Sequence, residues 1–160
     1  MVALWDPTTG TSQVTTTSNA AQLLNLDLHI FEVRHRDDLG RAFEAARKEG
    51  AEAFNVFSSP FLSSLSGEII GLAAENRLPA IYQWREHAEA GGLMSYGPNL
   101  AELWRQSALV VTKILGGAKP GDLPVEQSAK FELVINQKTA DALGLELPLP
   151  LLIRADDVIQ

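Results

Sequence analysis

An α/β fold built on a parallel sheet flanked by helices is what this sequence predicts, on three observations. Short apolar segments alternate along the chain with segments of helical periodicity. The joints between them carry start and stop signals: Ser59-Pro60, Asn99 and Asn136 before helices, and Gly50, Gly116-Gly117 and Gly144 after them. At 160 residues, 46% hydrophobic and 21% charged, the chain also has the size and composition of one domain with one core. The order strand, helix, strand, helix then implies right-handed crossovers and helices on both faces of the sheet.

VALW (Val2 to Trp5) is the first strand, stopped by Asp6-Pro7 and followed by a Thr/Gly/Ser-rich loop. The helix behind it, roughly Ser12 to Leu24, is weakened by β-branched Thr15, Thr16 and Thr17 but ends on apolar residues. DLHIFEVR supplies a second strand with both faces partly covered. Asp37 or Asp38 caps the next helix, whose Leu39, Ala42, Phe43 and Ala46 fall at i, i+3, i+4 and i+7. AEAFNVF (Ala51 to Phe57) is the third strand. Ser59-Pro60 opens a helix that carries Ile69, Ile70, Leu72 and Ala73 and ends near Asn76, and LPAIY (Leu78 to Tyr82) is the fourth strand.

The second half is less regular. YQWREHAEAGGLMSYGPNL (Tyr82 to Leu100) crowds aromatic and charged side chains beside a double glycine. Asn99 and Glu102 have capping-box spacing, and the helix they start carries Leu100, Leu103, Trp104, Ser107, Ala108, Val111, Ile114 and Leu115 on one face. AKPGDLPVEQ is a linker, KFELVIN (Lys130 to Asn136) a further strand, and Asn136 caps a short helix closed by Gly144. The tail ELPLPLLIRADDVIQ is too proline-rich at its start for regular structure.

Several chemistries are disfavoured from the outset. A net charge of −7 with no basic cluster argues against nucleic acid or an anionic membrane as partner. The absence of cysteine excludes disulfides, thiol nucleophiles and cysteine metal sites. There is no dinucleotide fingerprint, P-loop, nucleophile elbow or zinc-protease motif, so no enzyme activity and no cofactor are expected. His29, His35 and His87 lack helical metal-ligand spacing, so no metal site is expected either. No segment approaches the roughly 18 to 20 apolar residues of a membrane span, and MVALWDPTTG lacks the pattern of an export signal.

What the strand ends offer is a binding surface. In an open parallel sheet, ligands sit beyond the carboxyl ends of the strands, where helix N-termini present free N–H groups. Those ends carry Asp6-Pro7-Thr8-Thr9, Ser58-Ser59-Pro60 and Tyr82-Gln83-Trp84-Arg85. Hydroxyls, aromatic rings and a guanidinium suit a small organic ligand with a carboxylate. The plainer alternative is that Ser59 is only a cap, Arg85 only pairs with a surface acid and Trp84 is only packed.

From RLPAIYQWREHAEAGGLMSYG through KILGGAKPGDLPVE to FELVINQKTADALGL, the sequence closely resembles the C-terminal half of ABC-transporter substrate-binding proteins of the tryptophan or aromatic-ligand type. The resemblance runs from Val2 to about Ile159. It implies a type I periplasmic-binding-protein fold: two Rossmann-like lobes joined by three crossovers, with a small-molecule ligand clamped between them for delivery to an ABC permease. On that pattern residues 1–82 are a second-lobe-like βαβα unit and 83–120 are a crossover and helix belonging to the first lobe. Residues 128–147 are then the return strand and helix. The family's loop after the first strand of this lobe often reads Asn-Pro, where this chain has Asp6-Pro7. The ligand-binding residues expected from strand ends and resemblance together are Asp6, Thr8, Ser58, Ser59, Tyr82, Arg85, Ser95 and Tyr96.

Two functional classes follow. The first is a solute-binding component of an ABC-type uptake system, or a fragment of one, for a small organic solute such as an aromatic amino acid or carboxylate. The second is a non-catalytic interaction module that has lost the cleft and self-associates. The apolar stripe around Trp104 favours a homo-oligomer in either case, in which this helix and the LMSY strand find partners on another subunit or fold back on the lobe. The resemblance implies a periplasmic location, and a cytoplasmic one is expected instead if Met1 is the true start.

Overall fold

A computed structural model of the chain describes residues 1–124 and 131–160. The end of the expected linker, Val125 to Gln127, and the first residue of the expected strand, Lys130, lie outside the described residues. The strands are β1 (Val2–Trp5), β2 (His29–Glu32), β3 (Phe54–Val56), β4 (Ala80–Tyr82), β5 (Met94–Pro98), β6 (Phe131–Asn136) and β7 (Asp157–Ile159). They form one seven-stranded sheet in the order β2-β1-β3-β4-β5-β6-β7. Every neighbouring pair is parallel except β5 with β6, which run antiparallel.

The helices are α1 (Ser12–Leu23), α2 (Asp38–Lys48), α3 (Pro60–Ser64), α4 (Ser66–Glu75), α5 (Arg85–Glu89), α6 (Leu100–Leu115), α7 (Gln137–Leu143) and α8 (Leu149–Arg154). None among the described residues is long and apolar enough to cross a membrane. The core lies in the first half. Val2, Ala3 and Leu4 are all buried although successive strand residues point to opposite faces, so β1 is covered on both sides. The expected α2 face, Leu39, Ala42, Phe43 and Ala46, is buried in full, and Phe43 stacks on Phe54 of β3 with ring centroids 4.5 Å apart.

The signals at helix ends act much as their chemistry predicts. Ser59 caps α3, Asn99 accepts from the Glu102 N–H, Asn136 accepts from the Thr139 N–H, and Gly144 takes the left-handed conformation at φ 72°. Asp38 does something different from capping its own helix. Its Oδ2 reaches back to accept from the backbone N–H groups of Arg34 and His35, at 2.8 and 2.9 Å, and so ties down the loop before α2.

Four features depart from expectation. The helix after Pro60 is broken at Leu65 into α3 and α4. The segment expected to be a bare crossover contains α5, packed against β5 and β6. The LMSY segment, assigned on the family pattern to another lobe, is β5 of this same sheet, paired on both sides by β4 and β6. The tail is regular after all: Pro148 precedes α8 and Pro150 falls in its first turn, where a missing N–H costs nothing, and β7 then pairs with β6.

Candidate functional site

A cavity of about 420 Å³ opens at the carboxyl ends of β3, β4 and β5. One wall is the start of α1, where Ser12, Gln13, Thr16 and Thr17 share a face at helical spacing. The floor is Asn55 to Ser58, at the end of β3 and just beyond it, and Ile81 to Gln83, at the end of β4 and just beyond it. Tyr96, Gly97 and Pro98 of β5, with Phe131 of β6, form the opposite wall. No acid, base or histidine lines it among the described residues, so its polar surface is hydroxyls and amides.

Each wall is held by its own chemistry. Gln13 clamps the β3 loop through a two-point amide contact: its Nε2 donates to the Ser58 carbonyl and its Oε1 accepts from the Ser58 N–H, both at 2.8 Å. Thr11 at the N-cap of α1 makes no side-chain capping bond, and the first-turn residues Ser12 and Gln13 line the cavity. On the far wall Tyr96 and Phe131 come from antiparallel neighbours and hold their rings 5.6 Å apart at 35°. Both are unusually exposed for aromatic residues, at 56% and 49%. Gly97 is dictated by close approach: a Cβ there would stand 2.1 Å from the Gln83 carbonyl oxygen, so only glycine lets β5 pass the β4 end.

The eight expected site residues separate into three groups. Ser58, Tyr82 and Tyr96 line the cavity. Asp6, Thr8 and Ser59 form a cluster satisfied from within. The Ser59 hydroxyl donates to Asp6 Oδ2 at 2.5 Å, and the Thr8 N–H and hydroxyl donate to Asp6 Oδ1 at 2.9 and 2.7 Å. Ser59 Oγ meanwhile accepts from the Phe61 and Leu62 N–H groups. This staples the β1 loop to the start of α3. Burial alone would raise the Asp6 carboxyl, but the hydrogen bonds from Ser59 and Thr8 outweigh it and hold it below its ordinary value.

Arg85 and Ser95 do not reach the cavity. The Arg85 guanidinium turns toward the far end of the sheet, where Nε donates to Glu89 at 2.7 Å, one terminal nitrogen pairs with Asp157, and Glu132 lies at 3.9 Å. Its hydrogen bonds to Glu89 and Asp157 raise its already high affinity for a proton. Ser95 alternates with Tyr96 along β5 and so faces the interior, with its Oγ unpartnered among the described residues. What sequence reasoning missed is the α1 wall. Thr16 and Thr17 had weighed only as poor helix formers, yet with Ser12 and Gln13 they make a neutral polar stripe at i, i+3 and i+4 spacing.

Alongside this open site stands a long unburied surface. None of the residues of α6 is buried; Trp104 is 68% and Leu115 84% exposed.

A family profile described as ABC transporter substrate binding protein matches residues 3–159. No curated protein matches the chain. Among solved structures, a conserved domain protein from Vibrio cholerae superposes with a TM-score of 0.89 at 23% identity, covering 98% of this chain and 53% of that one. An ABC domain in complex with L-Trp from Streptococcus pneumoniae gives 0.88 at 24% identity, covering 99% and 55%. A substrate-binding protein with adhesive properties from Clostridium difficile, in its ligand-free open form, gives 0.70 at 19% identity, covering 99% and 54%. The present chain thus spans a little over half the length of the solved structures it resembles.

Proposed function

The chain belongs to the ABC transporter substrate-binding protein family, and on that premise we propose that it supplies one wall of a cleft that captures a small aromatic solute carrying a carboxylate, such as an aromatic amino acid, without chemical conversion. The observation that carries this reading is the cavity's polarity. A neutral hydroxyl and amide wall with a helix N-terminus stands opposite the exposed Tyr96–Phe131 pair. An aromatic ring finds its apolar partner on one side, and a carboxylate finds N–H and O–H donors on the other. The L-Trp bound in the similar Streptococcus pneumoniae structure makes that compound the natural first probe. Handover to an ABC permease, at the periplasmic face as in the family, completes the proposal.

Thermal shift against L-tryptophan, other aromatic amino acids and aromatic carboxylates tests it. A ligand at 100 times its Kd adds about 2.7 kcal/mol of stability. Protein shown to be folded that shifts with none of these compounds would sink the solute-binding reading. It would favour the second one, a self-associating module. That alternative is supported by α6, whose apolar side chains need cover that the described residues do not supply. Light scattering separates the possibilities: a clean monomer well above micromolar concentration removes the case for a homo-oligomer.

A further inference from the structure

Beneath the floor of the cleft lies a second, much smaller cavity of about 10 Å³, lined by residues of α3, α4 and α5 and of the ends of β3 and β4. Val56, Phe57, Ser58, Tyr82 and Gln83 line both cavities, so one layer of residues separates them. Three side-chain atoms of the small cavity's lining residues are buried without a hydrogen-bond partner among the described residues: Tyr82 Oη, Gln83 Oε1 and His87 Nδ1. Buried polar atoms are rarely left unmatched, and three of them belong to residues that line this one cavity. The Tyr82 and His87 rings stand edge to face with centroids 5.4 Å apart, an arrangement that satisfies neither polar atom.

The volume decides what fits. One water needs about 10 to 15 Å³ and typically makes about three hydrogen bonds. A metal ion or an ammonium group would require a carboxylate, and none lines this cavity among the described residues.

We propose that the small cavity is a binding site for a single water molecule, held by Tyr82 Oη, Gln83 Oε1 and His87 Nδ1, that closes the floor of the cleft. The hydrogens are then fully allotted. Tyr82 donates its hydroxyl proton to the water, which donates one proton to Gln83 Oε1 and the other to His87 Nδ1. His87 is therefore the neutral tautomer with its proton on Nε2. Burial favours this neutral form, against the opposite pull of Glu86. A consequence for selectivity rests on the cleft reading above. A ligand substituent that reaches through the floor must replace three hydrogen bonds, so a hydroxyl is tolerated there and a methyl is rejected.

The ligand-free 160-residue chain, crystallised at a resolution that shows ordered solvent, tests the site. One water within about 2.7 to 3.2 Å of all three atoms is the expected result; a dry cavity, or side chains that turn to bond one another, overturns the proposal. Nitrogen-15 NMR of the imidazole gives an independent reading, with the proton on Nε2 expected and a proton on Nδ1 fatal. Tyr82→Phe keeps the ring and removes the donor, so the water should be lost from its crystal structure; an undiminished water there counts against the assignment. If that variant does not fold, the wild-type crystal and tautomer measurements decide the matter. Neither needs a ligand, so failure of L-tryptophan to bind would refute the proposed function and leave the water site standing.

Discussion

Helices α2 and α6 read alike in the sequence, yet the fold treats them in opposite ways. Both are amphipathic, both have an acidic residue in the first turn and at least one basic residue in the last, and both are followed within two residues by glycine. α2 buries Leu39, Ala42, Phe43 and Ala46 against the sheet and α4, while α6 buries none of its residues. An apolar stripe therefore reports that a helix requires a partner and carries no information on whether the same stretch of chain supplies it. The stripe on α2 is matched by the apolar strands flanking it in sequence, whereas α6 follows β5, the strand after which the sheet reverses direction at β6.

The largest expected effect sits on the buried side of this comparison. Phe43→Ala removes a ring stacked on Phe54 and should destabilise the chain by about 3 to 5 kcal/mol, read by urea denaturation. A cost as small as a surface substitution's would mean that α2 is not the anchor it is taken to be. Next comes Gly97→Ala, whose methyl would collide with the Gln83 carbonyl and force β4 and β5 apart. Overpacking of this kind costs about 1 to 3 kcal/mol. Because Gly97 lines the cleft, any L-tryptophan-induced thermal shift should fall with it.

Acid sharpens the comparison further, since the buried half carries the groups that respond. Burial depresses the His87 imidazole below its ordinary 6.5, so the unfolded chain takes up a proton before the folded one does. Above that value His87 leaves stability unchanged; as pH falls from 6.5 through the lower folded value, stability declines. Asp6, held below its ordinary 3.8, adds a further loss as pH falls below that value through its folded one. Denaturation midpoints of wild type and His87→Gln across this range give the test, the variant being expected to lose the first decline and keep the second. The smallest effect belongs to α6. In a monomer, Trp104→Ala should lie within about 0.5 kcal/mol of wild type. A loss of several times that would show that Trp104 is covered in solution.

Much of the fold was legible where an element has a local cause. The i, i+3, i+4, i+7 spacing around Phe43, the Ser59-Pro60 start and the left-handed Gly144 are decided within a few residues. The errors fall where the cause is distant. β7 spans only three residues and exists because β6 offers it an edge, and β5 joins this sheet because β4 and β6 offer edges on both sides. Arg85 carried the right chemistry for a carboxylate ligand, but its partner Asp157 lies far along the chain, beyond the reach of a local reading. In the cleft, Tyr96 and Ser58 were legible as polar or aromatic residues at strand ends. The α1 wall was not, since threonines in a helix look like a defect until something is seen opposite them.

The antiparallel pairing of β5 with β6 has a topological consequence. Pro98, the last residue of β5, is in register with Phe131, the first of β6, so the chain leaves the sheet at Pro98 and re-enters it at the adjacent Phe131. In connectivity the whole excursion, α6 included, is an oversized hairpin loop. Lengthening such a loop adds only about 0.6 kcal/mol of closure entropy for each doubling, and the strands at its base need not be re-threaded when its contents change. Evolution, or an engineer, is thus free to rewrite this arm while the seven-stranded platform beneath it keeps its order and its cleft.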